Sequence, residues 1–226
     1  MCGRYTLAMP DAGQLGARFA IGERVEVRRR FNVAPGDDVL AVVQRGREPE
    51  GAVLRWGLVP PWAGDPSDLG VKTINARAET VHERPAYRDA FAERRCLIIA
   101  DGFYEWHAGV PHWIRRADGE PFAFAGLWAS WRPRSEEPVE SLRSCAIVTT
   151  AANDAIADLH DRMPVILRPS DERAWLVHDS SPETLHELLE VAREQQLVAR
   201  PVSRAVNDAR HDAPDCLDPP EQPTLF

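Results

Sequence analysis

Apolar residues in the middle of this chain come in short runs separated by turn residues, at 39–44, 53–59, 96–100, 112–116, 122–128, 145–149 and 164–167. Runs of that length match strands and are too short for ordinary helices, so they predict a β-rich centre. Asp118-Gly119 lies between two of them and reads as a hairpin turn. Helical periodicity falls at 12–19, 87–94, 153–159, 171–177 and 182–195. The last of these opens with Ser181 as N-cap and Pro182 at the first helical position, and Leu185, Leu188 and Leu189 share one face. This is not the regular β-α alternation of a doubly wound sheet. The expected class is α+β, with strands in the middle and helices at the periphery.

The length of 226 residues suits one domain, and 44% hydrophobic residues are enough for a sizeable core. From Asp212 the chain carries Pro214, Pro219, Pro220 and Pro223 among acidic residues. The expected division is therefore a domain over 1–211 and a disordered tail over 212–226. No run approaches the roughly 20 apolar residues of a membrane span and no leader-like segment opens the chain, so a cytoplasmic location is expected. Cys2, Cys96, Cys145 and Cys216 are scattered without a CxxC or a tight Cys/His cluster, which argues against zinc and against a disulfide framework. Cys96 and Cys145 read as core residues.

A net charge of −8 weighs against a protein that coats nucleic acid nonspecifically. Yet of 27 basic residues only Lys72 is not arginine, and 28–30, 94–95 and 115–116 are arginine runs. Such runs are ordinarily solvated faces. A local basic groove stays compatible with the acidic total, because screening over about 8 Å makes nearby charges count most.

Cys2 follows the initiator methionine directly. With Met1 removed it carries an α-amine and a thiol on adjacent carbons. The amine condenses with an aldehyde to an imine, and the thiol then closes a five-membered thiazolidine ring. Reference pKa values of about 8 and about 8.5 leave reactive fractions of both groups near neutral pH. A loose terminus would hold an early cysteine just as well. Met-Cys-Gly also opens N-terminal-nucleophile amidotransferases, so the opening does not choose a reaction.

Three polar motifs sit at the ends of apolar runs. In 73–80, Asn75 and Arg77 stand two residues apart; an extended backbone would turn an orienting amide and a phosphate fork to one side, whereas a helix entry would make Asn75 a cap and leave Arg77 solvated. In 100–106, Glu105 is set between aromatic residues, either as a desolvated proton shuttle or as a salt-bridged core carboxylate. In 159–164, His160 is an acid-base candidate and Arg162 a phosphate contact, against the reading of a structural turn histidine. Tryptophans stand at 56, 62, 106, 113, 128, 131 and 175. Most must be core, while Trp62 and Trp106 lie in loops or strand ends, where an indole can stack on a base.

Taken in order, 1–5, 31–35, 55–60, 75–80, 96–106 and 160–164 resemble the SOS-response-associated peptidase (SRAP) family of abasic-site processing proteins, over Cys2 to about Pro201. The resemblance implies an α+β fold with a strongly bent, barrel-like mixed sheet, peripheral helices and a DNA cleft. It implies capture of abasic sites in single-stranded DNA, during the DNA damage and SOS response, as a reversible thiazolidine crosslink on Cys2. In that scheme Cys2 is the nucleophile, Glu105 moves protons at its amine, and Asn75 holds the reacting end. His160 is the acid-base residue for ring opening and crosslink reversal. Arg77 and Arg162 match phosphate contacts and Trp106 the stacking residue, with Arg4, Pro35 and Trp62 as weaker assignments to the cleft wall. No cofactor and no metal are implied, the chain is expected to act as a monomer without a membrane, and it would join the nucleoid when bound to DNA.

Other readings compete. The amidotransferase reading needs an Asn-Gly oxyanion element, and the chain has no Asn-Gly dipeptide. A cysteine peptidase or autopeptidase acting on Met1 would pair Cys2 with His160. A noncovalent single-strand binding module would make Cys2 incidental.

Overall fold

The computed structural model describes residues 2–9, 12–19, 21–22, 25–66, 70–133, 140–191 and 196–221. In chain order the strands are β1 (Tyr5–Leu7), β2 (Arg30–Val33), β3 (Asp38–Arg45), β4 (Glu48–Trp56), β5 (Asn75–Arg77), β6 (Arg95–Ala100), β7 (Gly102–His107), β8 (Val110–Arg116), β9 (Phe122–Trp131), β10 (Leu142–Ala151), β11 (Arg162–Pro164) and β12 (Leu197–Pro201). The helices are α1 (Ala12–Phe19), α2 (Arg88–Glu93), α3 (Glu172–Leu176) and α4 (Pro182–Val191). The fold is α+β, mostly strands.

Two sheets form rather than one. The smaller runs β12-β8-β7-β1-β2, and its neighbouring strands are antiparallel. The larger runs β11-β10-β4-β3-β6-β9, and β9 returns to pair with β10. That return curls β10, β4, β3, β6 and β9 into a ring. The ring is not a clean barrel, because β4 and β10 meet only through the parallel pairs Ser144↔Arg55 and Cys145↔Trp56.

Gly57 explains why β4 stops where it does. Its φ of 127° lies in a region that side chains avoid, and a Cβ there would stand 2.4 Å from the Gly70 carbonyl oxygen. The strand expected at 53–59 therefore ends at Trp56 and extends backward to Glu48, where the charged residues lie on exposed positions. Asp118-Gly119 does make a turn, but not a hairpin: β8 belongs to one sheet and β9 to the other, so the turn carries the chain between sheets. The β7–β8 hairpin uses Ala108-Gly109 instead, with φ of 49° and 77°. The helix expected at 153–159 is a series of turns, with Ile156 and Ala157 both donating to the Asn153 carbonyl.

The core lies on both sides of the ring. Tyr5 packs edge-on against Trp56 and Phe124 at centroid distances of 5.3 and 5.7 Å, beside the buried Cys96 and Cys145. On the other side Trp175 donates its indole N–H to the Cys96 carbonyl. Of the arginine runs, Arg28 and Arg29 stay exposed, whereas Arg95 is committed to structure. Arg95 is buried, and its guanidinium donates to the carbonyls of Phe91, Ala92, Trp175 and Val177, which closes the C-terminal ends of α2 and α3.

The segment expected to dangle from Asp212 is packed over much of its length. The Asp212 carboxylate accepts from the backbone amides of Phe31 and Asn32 and pairs with Arg30, and Pro214–Leu217 forms a short 3-10 turn that buries Cys216. Composition alone hid this, because the docking rests on particular contacts, the Asp212 carboxylate on β2, the buried Cys216 and the Asp218 carbonyl accepting from the Ser203 amide. Residues 222–226 lie outside the described residues.

Candidate functional site

β10 is the spine of the site. Its first half is flanked by β4 and β9, and its second half by β5 and β11. Asn75 lies beside Ile147 and Arg77 beside Thr149, while Arg162 lies beside Ala151 across the other edge. The 75–77 segment is thus extended. Its two-residue repeat turns Asn75 and Arg77 to one side while Ala76 is buried on the other.

Cys2 is fully buried just before β1. Its carbonyl accepts the Asn75 side-chain N–H at 2.8 Å, and the Asn75 Oδ1 is buried without a hydrogen-bond partner. Burial, and next the negative charge of Glu105, push the Cys2 thiol far above its ordinary value, so in this geometry it is protonated. Glu105 projects from β7 and is 3% exposed. Burial raises its pKa, and the charge of His160 is among the influences that oppose the rise. Burial thereby favours the protonated carboxyl.

His160 stands at the turn before β11. Its Nδ1 accepts the Arg162 backbone N–H at 2.9 Å and lies 3.0 Å from the Asp161 carboxylate. One nitrogen cannot accept from the amide and donate to the carboxylate together. The neutral ring bonded to the amide carries its proton on Nε2, whereas the imidazolium offers Nδ1–H to Asp161. One hydrogen bond and a chain of electrostatic contacts thus bring Cys2, Asn75, Glu105 and His160 together from separate stretches of sequence.

The other candidates divide. Arg77 is exposed beside this group. Arg162 has a side chain only 14% exposed; its two terminal nitrogens bond the Glu79 carboxylate at 2.5 and 3.0 Å, and one of them also reaches the Thr149 carbonyl at 2.7 Å. Trp106 follows the alternation of β7 onto the face opposite Glu105, packs near Tyr104, and donates to Asn207 at 2.8 Å. Arg4 donates to Asn32 Oδ1 and to the Val206 carbonyl, so it braces the C-terminal segment. Pro35 is half-buried in the turn after β2, and Trp62 is 54% exposed in the loop after β4.

Three residues were not singled out by sequence. Glu79 holds Arg162, Asn207 holds Trp106, and the buried Asn32 places its amide nitrogen near the carbonyls of Val206, Asp208 and His211. A polar residue between Phe31 and Val33 on a strand is the one available signal of the last.

The family model described as SOS response associated peptidase (SRAP) matches residues 1–209. The chain belongs to the SRAP family. The abasic site processing protein YoqW of Bacillus subtilis (strain 168) is 37% identical, covering 96% of this chain and 99% of YoqW. YedK of Escherichia coli (strain K12), which carries the same description, is 30% identical over 97% of this chain and 100% of its own length. HMCES of Xenopus tropicalis, also so described, is 32% identical over 74% of this chain and 56% of its own. A crystal structure of a Bacteroides thetaiotaomicron protein shares the fold, with a TM-score of 0.84 at 23% identity, covering 96% and 99% of the two chains. Every residue of the group formed by Cys2, Asn75, Glu105 and His160 falls inside the SRAP match, whereas His211 to Asp218 lie beyond it.

Proposed function

We propose that this chain senses and processes abasic sites in single-stranded DNA through Cys2, with Met1 removed. The observation that carries the reading is the hold of Asn75 on the Cys2 backbone beside the buried Glu105, itself coupled to His160. Similarity to the abasic site processing proteins supports the substrate.

An abasic site is mostly a closed hemiacetal, and His160 protonates the ring oxygen as the ring opens while the C1 hydroxyl gives up its proton to water, so the sugar isomerises to the open aldehyde. The freed α-amine of Cys2 attacks the aldehyde carbon, and loss of water gives the imine. Sulfur then adds to the imine carbon, and the thiol proton ends on nitrogen, so aminothiol and aldehyde become thiazolidine and water. Glu105 is the relay for that proton. The protonated thiol and the elevated carboxyl suit this order, because the thiol need ionise only when the cationic imine stands beside it. An open imine promotes β-elimination of the strand, and ring closure removes that route. The buried, protonated thiol weighs against a resting thiolate nucleophile of the peptidase kind.

The test is incubation with abasic single-stranded oligonucleotide, with and without borohydride, resolved on a denaturing gel. Wild-type protein lacking Met1 should give a stable adduct. Cys2→Ala and Cys2→Ser should lose it while keeping a borohydride-trappable imine and strand cleavage. A heat-stable adduct from Cys2→Ala without reductant would place the crosslink elsewhere.

A further inference from the structure

Outside the Cys2 group, one cluster of metal-ligating side chains stands out among the described residues. His211, Asp215 and Cys216 present ligand atoms that all lie within 4.8 Å of one another. His211 Nε2 and Asp215 Oδ1 are 2.7 Å apart, and Cys216 Sγ lies 3.6 Å from the His211 carbonyl. The spacing His-x3-Asp-Cys escapes a search for paired cysteines, since it offers one sulfur, one imidazole and one carboxylate.

The backbone around the cluster is firmly held. The His211 carbonyl accepts from Asn32, Asp212 is anchored on β2, and the Cys216 amide donates to the Ala213 carbonyl. The three donors therefore need small side-chain movements rather than a refolded loop. Cys216 closes the cluster on its buried side, while Asp215 is exposed and leaves a position open to water. Asp208 and Asp212 supply negative charge nearby; Arg4 also acts on Cys216, and Arg210 is paired with Asp208.

We propose that His211, Asp215 and Cys216 form a zinc site with water as fourth ligand. Thiolate, imidazole and carboxylate are zinc's usual donors, and three protein ligands with one open position is a common arrangement for it. Zinc takes the place of the hydrogen bond between His211 Nε2 and Asp215 Oδ1, so the neutral imidazole carries its N–H on Nδ1, and the Cys216 thiol proton leaves to solvent as the thiolate binds. It also ties the C-terminal segment to β2 and to the Arg4 and Trp106 contacts made by Val206 and Asn207. The site works as a staple, remote in role from the Cys2 chemistry.

A Cys2→Ala background separates the two, because an N-terminal aminothiol binds zinc by itself. Titrating that protein with Co2+ should give one equivalent bound, with a thiolate-to-cobalt charge-transfer band, and Zn2+ should displace the cobalt. Zinc at a hundredfold excess over its Kd should raise Tm by roughly 5–10 °C. His211→Gln, at a half-exposed position that should tolerate it, ought to weaken zinc at least tenfold, and Cys216→Ala should abolish the charge-transfer band. Should Cys216→Ala fail to fold, His211→Gln and Asp215→Asn carry the test by affinity alone. Cobalt bound without a thiolate band, or zinc affinity and Tm shift unchanged in His211→Gln, would overturn the site.

Discussion

At the scale of single residues, Glu105 carries a stability consequence as well as a chemical one. Burial disfavours its carboxylate, so its folded-state pKa lies above the unfolded value. Between the two values the native state holds a proton that the unfolded chain lacks. The stability linked to Glu105 is therefore full below the unfolded pKa and is lost as pH rises through the folded one. Urea melts of Glu105→Gln across that window should lose this falling limb, and a parallel pH dependence in both proteins would mean the carboxyl is not desolvated in solution. Adduct formation should slow by about 10²–10⁴ in the same variant, the usual range for a lost proton relay. Asn75→Ala should act differently. It removes the grip on the Cys2 carbonyl, so capture of abasic DNA should slow while reaction with a small free aldehyde changes little; equal loss toward both would make Asn75 part of the chemistry rather than of the positioning.

At the scale of elements, the join between β4 and β5 fixes where Asn75 stands. Gly57 closes β4 and donates its amide to Cys145 on β10, while the Trp56 indole N–H bonds the Ile74 carbonyl. Gly57→Ala should cost about 1–3 kcal/mol in backbone strain alone, before its clash with Gly70 is counted, and denaturant melts would read it. A neutral Gly57→Ala would show that the loop yields freely. Elements with many apolar residues in a row were legible in the sequence: β6, β9 and the centre of β10 answer closely to the runs at 96–100, 122–128 and 145–149. Short strands such as β1 and β2 were not, because three or four residues carry no period and their stability comes from partners far along the chain. The candidate site was visible as separate motifs, since Asn75, Glu105 and His160 each belong to a polar motif at the end of an apolar run and Cys2 directly follows Met1. Their commitments were not. That Arg162 is held by Glu79 and Trp106 faces away from Glu105 depends on strand pairing and pleat, which residue types do not encode singly.

At the scale of the whole molecule, the proposed function requires a chain of net charge −8 to attract DNA through local fields. Arg77 is an exposed cation beside the Cys2 group, and Arg77→Ala should flatten the log-log salt dependence of single-strand binding by about 0.7. The Glu79–Arg162 pair gives the opposite experiment. Glu79→Gln leaves Arg162 with its backbone contact and removes the competing carboxylate, so affinity and salt slope should both rise; an unchanged slope would make Arg162 a purely internal brace. The order of strands also sets a timetable. β1, which holds the Cys2 end, sits between β2 and β7, with Tyr5 paired to Phe103. A two-stranded β1–β2 ribbon is marginal alone, so the chain's beginning stays unsheltered until β7 emerges from the ribosome. At roughly 5–20 residues per second, that delay is on the order of 5–20 s. On the proposed chemistry, an aminopeptidase meets the nascent methionine during that interval, before the finished sheet closes over the cysteine behind it.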